Sequence, residues 1–78
     1  MKIGVVSGAV WATRKVPWLQ GQTFLVVKTD RDELVAADCV GAGTGDSVLV
    51  VFGNIARHYC ENAPVDAAVV AILDTKKE

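Results

Sequence analysis

The stretch Ala67-Ala68-Val69-Val70-Ala71-Ile72-Leu73 is apolar at every position, and Val48-Leu49-Val50-Val51-Phe52 repeats this pattern earlier in the chain. Short runs rich in β-branched residues predict strands rather than helices. Because successive side chains of a strand point to opposite faces of its sheet, both faces of these two strands are apolar. Helices cover such strands in parallel sheets, but this chain has only one plausible helix. We therefore expect one face to fill the core and the other to contact a neighbouring subunit.

Turn signals and alternating patterns place three more strands beside these two. We predict strands over residues 3–12, 24–28, 33–40, 47–52 and 65–74. A short helix is predicted over 53–62, with Asn54 as its candidate cap and Pro64 as its end. Glycines at positions 4 and 8 predict a bend or a close backbone approach in the first strand. Five short strands with regular turns indicate a small all-β barrel or sandwich, a single domain spanning residues 1–78.

Composition favours an oligomer over a nucleic-acid-binding or membrane protein. The chain has 78 residues, of which 51% are hydrophobic. A domain of this size buries only about 60% of the surface that its unfolded chain exposes, and large apolar patches are rare on soluble monomers. Eight basic and nine acidic residues give a net charge of −1, without the basic excess typical of phosphate binding. The longest apolar stretch is too short to span a bilayer.

The two cysteines, Cys39 and Cys60, are too few for the disulfide framework of a small secreted domain. The first residues enter a strand pattern without a charged lead and an apolar plug. Both features favour the reducing cytoplasm. We expect Cys39, in the middle of the third predicted strand, to be a small core or interface residue. Together with His58 the two thiols could make a three-ligand zinc site, but their spacing matches no familiar pattern.

The stretch Gly41-Ala42-Gly43-Thr44-Gly45 has the spacing GxGxG and is followed by a strand. A dinucleotide site needs the spacing GxGxxG and a helix N-terminus for the pyrophosphate, so we do not expect nucleotide binding. The glycines predict either a tight hairpin turn with positive φ angles or a backbone packed against another chain.

Side chains that could carry catalysis are sparse. His58 is the only histidine. As a general base it would need an orienting carboxylate and a nucleophile nearby; Glu61 is close in sequence, but the predicted helix is short and solvated, so we expect His58 on the surface or at an interface. Acidic residues lie near strand ends, where we expect turn formers and salt-bridge partners; they are Asp30, Asp32, Glu33, Asp38 and Asp46. We therefore predict no catalytic residue, no metal and no cofactor.

The two tryptophans and Arg57 are interpreted from their places in the sequence. Trp11 follows the alternation of the first strand, so we expect it to be buried. Trp18 lies in a proline-containing loop, where it is either a lid on the core or an exposed contact residue, since interfaces are enriched in tryptophan. Arg57 is either solvated, or in reach of a neighbouring copy's Asp38 or Asp46, or in reach of the edge of an assembled shell.

Five segments, at residues 1–15, 19–22, 37–50, 53–57 and 64–74, together carry a resemblance to a known family. The most specific is Ala37-Asp38-Cys39-Val40-Gly41-Ala42-Gly43-Thr44-Gly45-Asp46-Ser47-Val48-Leu49-Val50. It resembles the AxDxVGAGxGExVL signature of the EutN/CcmL family of bacterial microcompartment vertex proteins. Gly53-Asn54-Ile55-Ala56-Arg57 is similar to the G-S-x-A-R element of that family. Asp46 stands where glutamate is common, Asn54 replaces serine, and the turn at residues 30–33 is shorter than in many relatives.

The resemblance implies a five-stranded OB-like barrel with one short helix that assembles into a homopentamer. Such pentamers close the five-fold vertices of a microcompartment shell in the bacterial cytoplasm, which hexameric shell proteins otherwise tile. Carried over position by position, it implies subunit-interface or pore-region residues in the glycine-rich stretch and the helix. These candidates are Val40, Gly41, Ala42, Gly43, Thr44, Gly45, Asp46, Asn54, Ala56 and Arg57.

An alternative function for an OB-like barrel is binding of single-stranded nucleic acid. Such modules need stacking aromatic side chains and a basic groove. The chain has five aromatic residues, namely Trp11, Trp18, Phe24, Phe52 and Tyr59. At least three of them occupy predicted core positions, so the sequence favours the shell protein.

Overall fold

Five short strands close into a barrel in the order β1-β2-β3-β5-β4. The computed structural model describes residues 1–59 and 65–74. The strands are β1 (Lys2–Val10), β2 (Phe24–Lys28), β3 (Glu33–Asp38), β4 (Ser47–Phe52) and β5 (Ala67–Leu73). A 3-10 turn (Pro17–Leu19) precedes β2, and the helix α1 (Gly53–Tyr59) follows β4. The prediction of a small all-β barrel with one short helix is confirmed, and the sandwich is excluded.

Three predicted strands end earlier than expected, and β5 (Ala67–Leu73) also begins two residues later than its predicted range of 65–74. β1 ends at Val10 because that residue pairs with Phe24, the first residue of β2, and Trp11 has no strand beside it. β3 ends at Asp38, where the side chain turns the following backbone, as described below. The last part of the predicted helix, residues 60–62, and its expected end at Pro64 lie outside the described residues.

The barrel closes through one parallel seam. β3 and β5 are parallel and share only the pairs Ala37↔Ala68 and Asp38↔Val69, whereas the other neighbouring strands are antiparallel. β5 therefore lies between β3 and β4. The glycine-rich stretch between β3 and β4 joins strands that are not neighbours, so the predicted hairpin turn is wrong. Its predicted positive φ angles are confirmed at Gly41 (79°) and Gly45 (94°).

The core consists of two apolar clusters. One fills the barrel and includes Val6, Leu25, Val27, Val48, Val50 and Val69. The second lies under α1 and joins Ala56 to Val51, Val65, Ala68 and Ala37. The helix therefore covers part of the second apolar face of β4 and β5. The sequence alone predicts that a neighbouring subunit covers all of this face. None of the helices in residues 1–59 and 65–74 has the length and apolar character that a membrane crossing requires.

Gly4 makes the close backbone approach that the first strand predicted. A Cβ atom at this position would lie 2.5 Å from Cγ1 of Val27 and 2.7 Å from the carbonyl oxygen of Lys28. Gly8 differs, because a Cβ atom there would meet nothing within 4 Å. The pairing of β1 with β2 shifts register between Val6 and Gly8, which gives the bend. Only Gly at position 4 lets β1 and β2 come together.

Candidate assembly surfaces

The glycine-rich segment, defined here as residues 40–46, is held in shape by two carboxylates. Oδ1 of Asp38 accepts hydrogen bonds from the backbone N–H groups of Val40 (3.1 Å), Gly41 (3.0 Å) and Ala42 (3.3 Å). Oδ2 of Asp46 accepts one from the Gly43 N–H at 2.8 Å. An aspartate whose carboxylate accepts hydrogen bonds from backbone N–H groups close to it in sequence stabilises a turn. Both acids are therefore turn formers, as the sequence predicted.

Backbone hydrogen bonds tie the end of the glycine-rich segment to β1. The Gly45 N–H donates to the Val6 carbonyl at 2.8 Å, and the Val6 N–H donates to the Asp46 carbonyl at 2.9 Å. Ala42 and Asp46 are half-buried, while Val40, Gly41, Gly43, Thr44 and Gly45 are exposed. The segment thus presents a fixed backbone with few side chains, a surface that another chain can approach closely.

The three candidate residues on α1 are placed differently from one another. Asn54 and Arg57 are exposed, and Nη1 of Arg57 donates to Oδ1 of Asn54 at 3.2 Å. Ala56 has no exposed surface because it packs into the cluster beneath the helix. Ala56 is therefore not an interface residue, and that prediction is corrected. The helix already begins at Gly53, so Asn54 lies in its first turn rather than before it.

Cys39 and His58 both lie near the end of α1. Cys39 is exposed just beyond β3, so its expected place in the middle of a strand and in the core is wrong, while its place at an interface stays a prediction. Its Sγ lies 3.8 Å from the Tyr59 carbonyl oxygen. His58 is exposed and packs edge-on against the Tyr59 ring, with centroids 5.2 Å apart. Cys60, the third member of the zinc site considered above, lies outside the described residues.

The carboxylate of Asp32, in the turn between β2 and β3, has a hydrogen-bond donor and a cation beside it. The Thr29 hydroxyl donates to Oδ1 of Asp32 at 2.6 Å, and Nζ of Lys2 lies 3.5 Å from Oδ2 of the same residue. The hydrogen bond from Thr29 and the charge of Lys2 lower the pKa of Asp32 below its ordinary value. Glu33 pairs with Lys28 at 3.8 Å. These acids are turn formers and salt-bridge partners, as expected.

One apolar surface runs across the outside of the barrel. In the register of β1, β4 and β5, Ile3 lies beside Leu49 and Leu49 beside Ala71; Val5 adjoins this row. We call Ile3, Val5, Leu49 and Ala71 the outer strip. Ile3 is 65% exposed and Val5 is 45% exposed, while the other two are half-buried. α1 covers a different part of the sheet, so the outer strip has no cover within the described part of the chain.

A second apolar surface lies at the far end of β1. The tryptophan segment, defined as residues 10–18, exposes 88% of Trp11 and 70% of Trp18. The prediction of a buried Trp11 is wrong because β1 ends before it. For Trp18 the lid on the core is excluded; the following residue, Leu19, takes that place by packing against the cluster under α1. Val10 and Val16 add to the exposed apolar surface.

The closed barrel carries two separate apolar surfaces and a glycine-rich segment of fixed shape. These features define a small subunit that is suited to assembly with other chains. The comparisons with known proteins agree with this class. The family described as "Ethanolamine utilisation protein EutN/carboxysome" matches residues 1–74. The chain therefore belongs to the EutN/CcmL family.

Two relatives similar to this chain are both shell vertex proteins. The carboxysome shell vertex protein CcmL of Synechococcus elongatus is 48% identical over 84 residues, covering 96% of this chain and 85% of the relative. The bacterial microcompartment shell vertex protein PduN of Salmonella typhimurium is 42% identical over 89 residues, covering 96% and 97%. These matches give no support to the alternative of a nucleic-acid-binding module.

Solved structures show the same fold. The structure of CcmL from Nostoc sp. PCC 7120 superposes with a TM-score of 0.87 at 42% identity, covering 97% of this chain and 92% of that one. GrpN, a pentameric microcompartment shell protein from Rhodospirillum rubrum, superposes with a TM-score of 0.86 at 39% identity, covering 100% and 99%.

Proposed function

We propose that this chain forms a homopentamer that caps the five-fold vertices of a bacterial microcompartment shell in the cytoplasm, beside hexameric shell proteins. Its role there is structural, without catalysis, cofactor or metal. The observation that carries the proposal is the outer strip, an apolar surface on a closed barrel that the described part of the chain leaves uncovered. The similarity to vertex proteins and to a pentameric shell protein supports the number and the place of the copies.

The glycine-rich segment is proposed to lie at the five-fold axis or at the junction between copies. Its exposed backbone and lack of large side chains suit a close approach between chains, and the two carboxylates keep it in one shape. On α1, Asn54 and Arg57 are exposed and remain proposed contacts. In the assembly, Arg57 would break its hydrogen bond to Asn54 and pair with an acidic group of a neighbouring copy.

Native mass spectrometry of the purified full-length chain tests the proposal. We expect a species of five times the 8.3 kDa protomer mass, stable on dilution to micromolar concentration. A folded monomer would overturn the proposal, because the outer strip would then be stable in water. Six copies would contradict the vertex role, since a six-fold ring does not fit a five-fold corner.

A further inference from the structure

The two tryptophans of the tryptophan segment are mostly exposed in their own protomer. They are the only tryptophans in the chain, and they expose 88% and 70% of their surface. Tryptophan is highly buried on average. Interfaces, by contrast, are enriched in tryptophan, and it is often a residue that dominates the binding energy there.

The backbone at each tryptophan is anchored to an ordered element. Trp11 directly follows Val10, which still pairs with Phe24 of β2. Trp18 lies in the 3-10 turn Pro17–Leu19, which backbone hydrogen bonds from Leu19 to Val16 (3.0 Å) and from Gln20 to Pro17 (3.0 Å) close. The packing of Leu19 against the cluster under α1 anchors this turn. A surface that is ordered before binding loses little conformational entropy when a partner covers it.

The size of the exposed surface matches one part of a protein interface. A buried tryptophan covers roughly 150–250 Å², so the two rings supply roughly 300 Å² or more. A standard interface needs about 800 Å² on each partner. The tryptophan segment is therefore large enough to supply the centre of such an interface.

The chain itself provides a matching apolar surface. A ring of identical copies uses a heterologous interface, in which two different surfaces of each copy meet. The tryptophan segment begins at one end of β1 and the outer strip at the other, about 23 Å apart at the rise of a strand. Beside the outer strip lies a surface depression with apolar and charged residues in its lining, which are Met1, Lys2, Ile3, Thr29, Asp30, Arg31 and Leu49.

We propose that Trp11 and Trp18 of one copy are buried against the outer strip and the adjoining depression of the next copy. This rests on the proposed function, and it identifies which two surfaces meet in the ring. Each copy then contributes its tryptophan segment on one side and its outer strip on the other. The occupant of the tryptophan segment is a second copy of this chain.

Tryptophan fluorescence tests the proposal on the assembled full-length chain. The variants Trp11→Phe and Trp18→Phe each leave a single tryptophan to observe. In the pentamer we expect both remaining tryptophans to emit at shorter wavelength, and acrylamide to quench them several-fold less than in dissociated protomers. Pentamers whose tryptophans stay fully open to acrylamide would overturn this inference while leaving the proposed function intact. A monomer in native mass spectrometry would overturn both.

Truncation of the rings gives a second readout. We expect Trp11→Ala and Trp18→Ala to weaken association roughly 30-fold each, the effect of losing a residue that dominates an interface, with unchanged circular dichroism. Tyr59→Ala is the matched control, because it removes an aromatic ring that is 57% exposed outside both surfaces. Equal effects of all three changes would contradict the proposal. So would tryptophans that become protected only when a hexameric shell protein is added.

Discussion

Gly4 shows how one missing side chain sets the shape of the barrel. The atoms that a Cβ would meet are a buried valine side chain and a backbone carbonyl, neither of which can move freely. We predict that Gly4→Ala lowers the free energy of unfolding by about 1–3 kcal/mol, the usual cost of overpacking. Urea unfolding at one fixed protomer concentration measures it.

Gly8→Ala is the matched control on the same strand. The space around Gly8 is open, and alanine in a strand costs less backbone entropy than glycine. Its stability should stay unchanged or rise by up to about 1 kcal/mol. If the two variants unfolded at the same urea concentration, the close approach at Gly4 would not constrain the barrel.

The sequence placed some residues correctly and others not, for identifiable reasons. The glycine signal in the first strand correctly predicted the close approach at Gly4. Trp11 continues the alternation of β1, but alternation does not show where the neighbouring strand begins, and β2 starts only at Phe24. Ala56 matched a family motif, and a motif does not tell whether a residue acts within the protomer or between protomers.

At the scale of elements, the glycine-rich segment depends on Asp38. We predict that Asp38→Ala speeds amide hydrogen exchange at Val40, Gly41 and Ala42, because all three N–H groups lose their acceptor. The loss should cost about 1–2 kcal/mol of stability. Asp38→Asn is the control, since its amide oxygen can still accept these hydrogen bonds. Unchanged exchange in Asp38→Ala would show that the backbone keeps this shape without the carboxylate.

The strands were predictable from local pattern, but their order was not. The bounds of β2 and β4 match the prediction because turn residues and apolar runs fix them locally. The hairpin predicted for the glycine-rich segment failed because β5, which lies far along the chain, inserts between β3 and β4. Such a non-local pairing leaves no signal in the sequence of the turn itself.

For the whole molecule, the outer strip should control assembly without controlling folding. We predict that Ile3→Glu lowers the fraction of pentamer at a given concentration, because assembly would bury an unpaired charge. Ile3 is mostly exposed in the protomer, so circular dichroism should not change. Sedimentation analysis over a dilution series measures the shift.

Thr23→Glu is the control for Ile3→Glu. It introduces the same negative charge at an exposed position outside the outer strip and the tryptophan segment. It should assemble like the unmodified chain. An Ile3→Glu variant that remained pentameric at every concentration tested would show that the outer strip faces solvent in the assembly.

The excess of apolar strand surface was visible in the sequence, but which part of that surface α1 covers became clear only in three dimensions.

The closure of the barrel affects how the subunits of a shell behave when they are crowded together. Each of the five described strands has a neighbour on both sides, so no complete backbone edge is left to recruit foreign strands. Crowded copies are thereby guarded against merging into fibrils. Contacts between copies then form through side chains and through the fixed backbone of the glycine-rich segment, and not by extension of a sheet from one copy to the next.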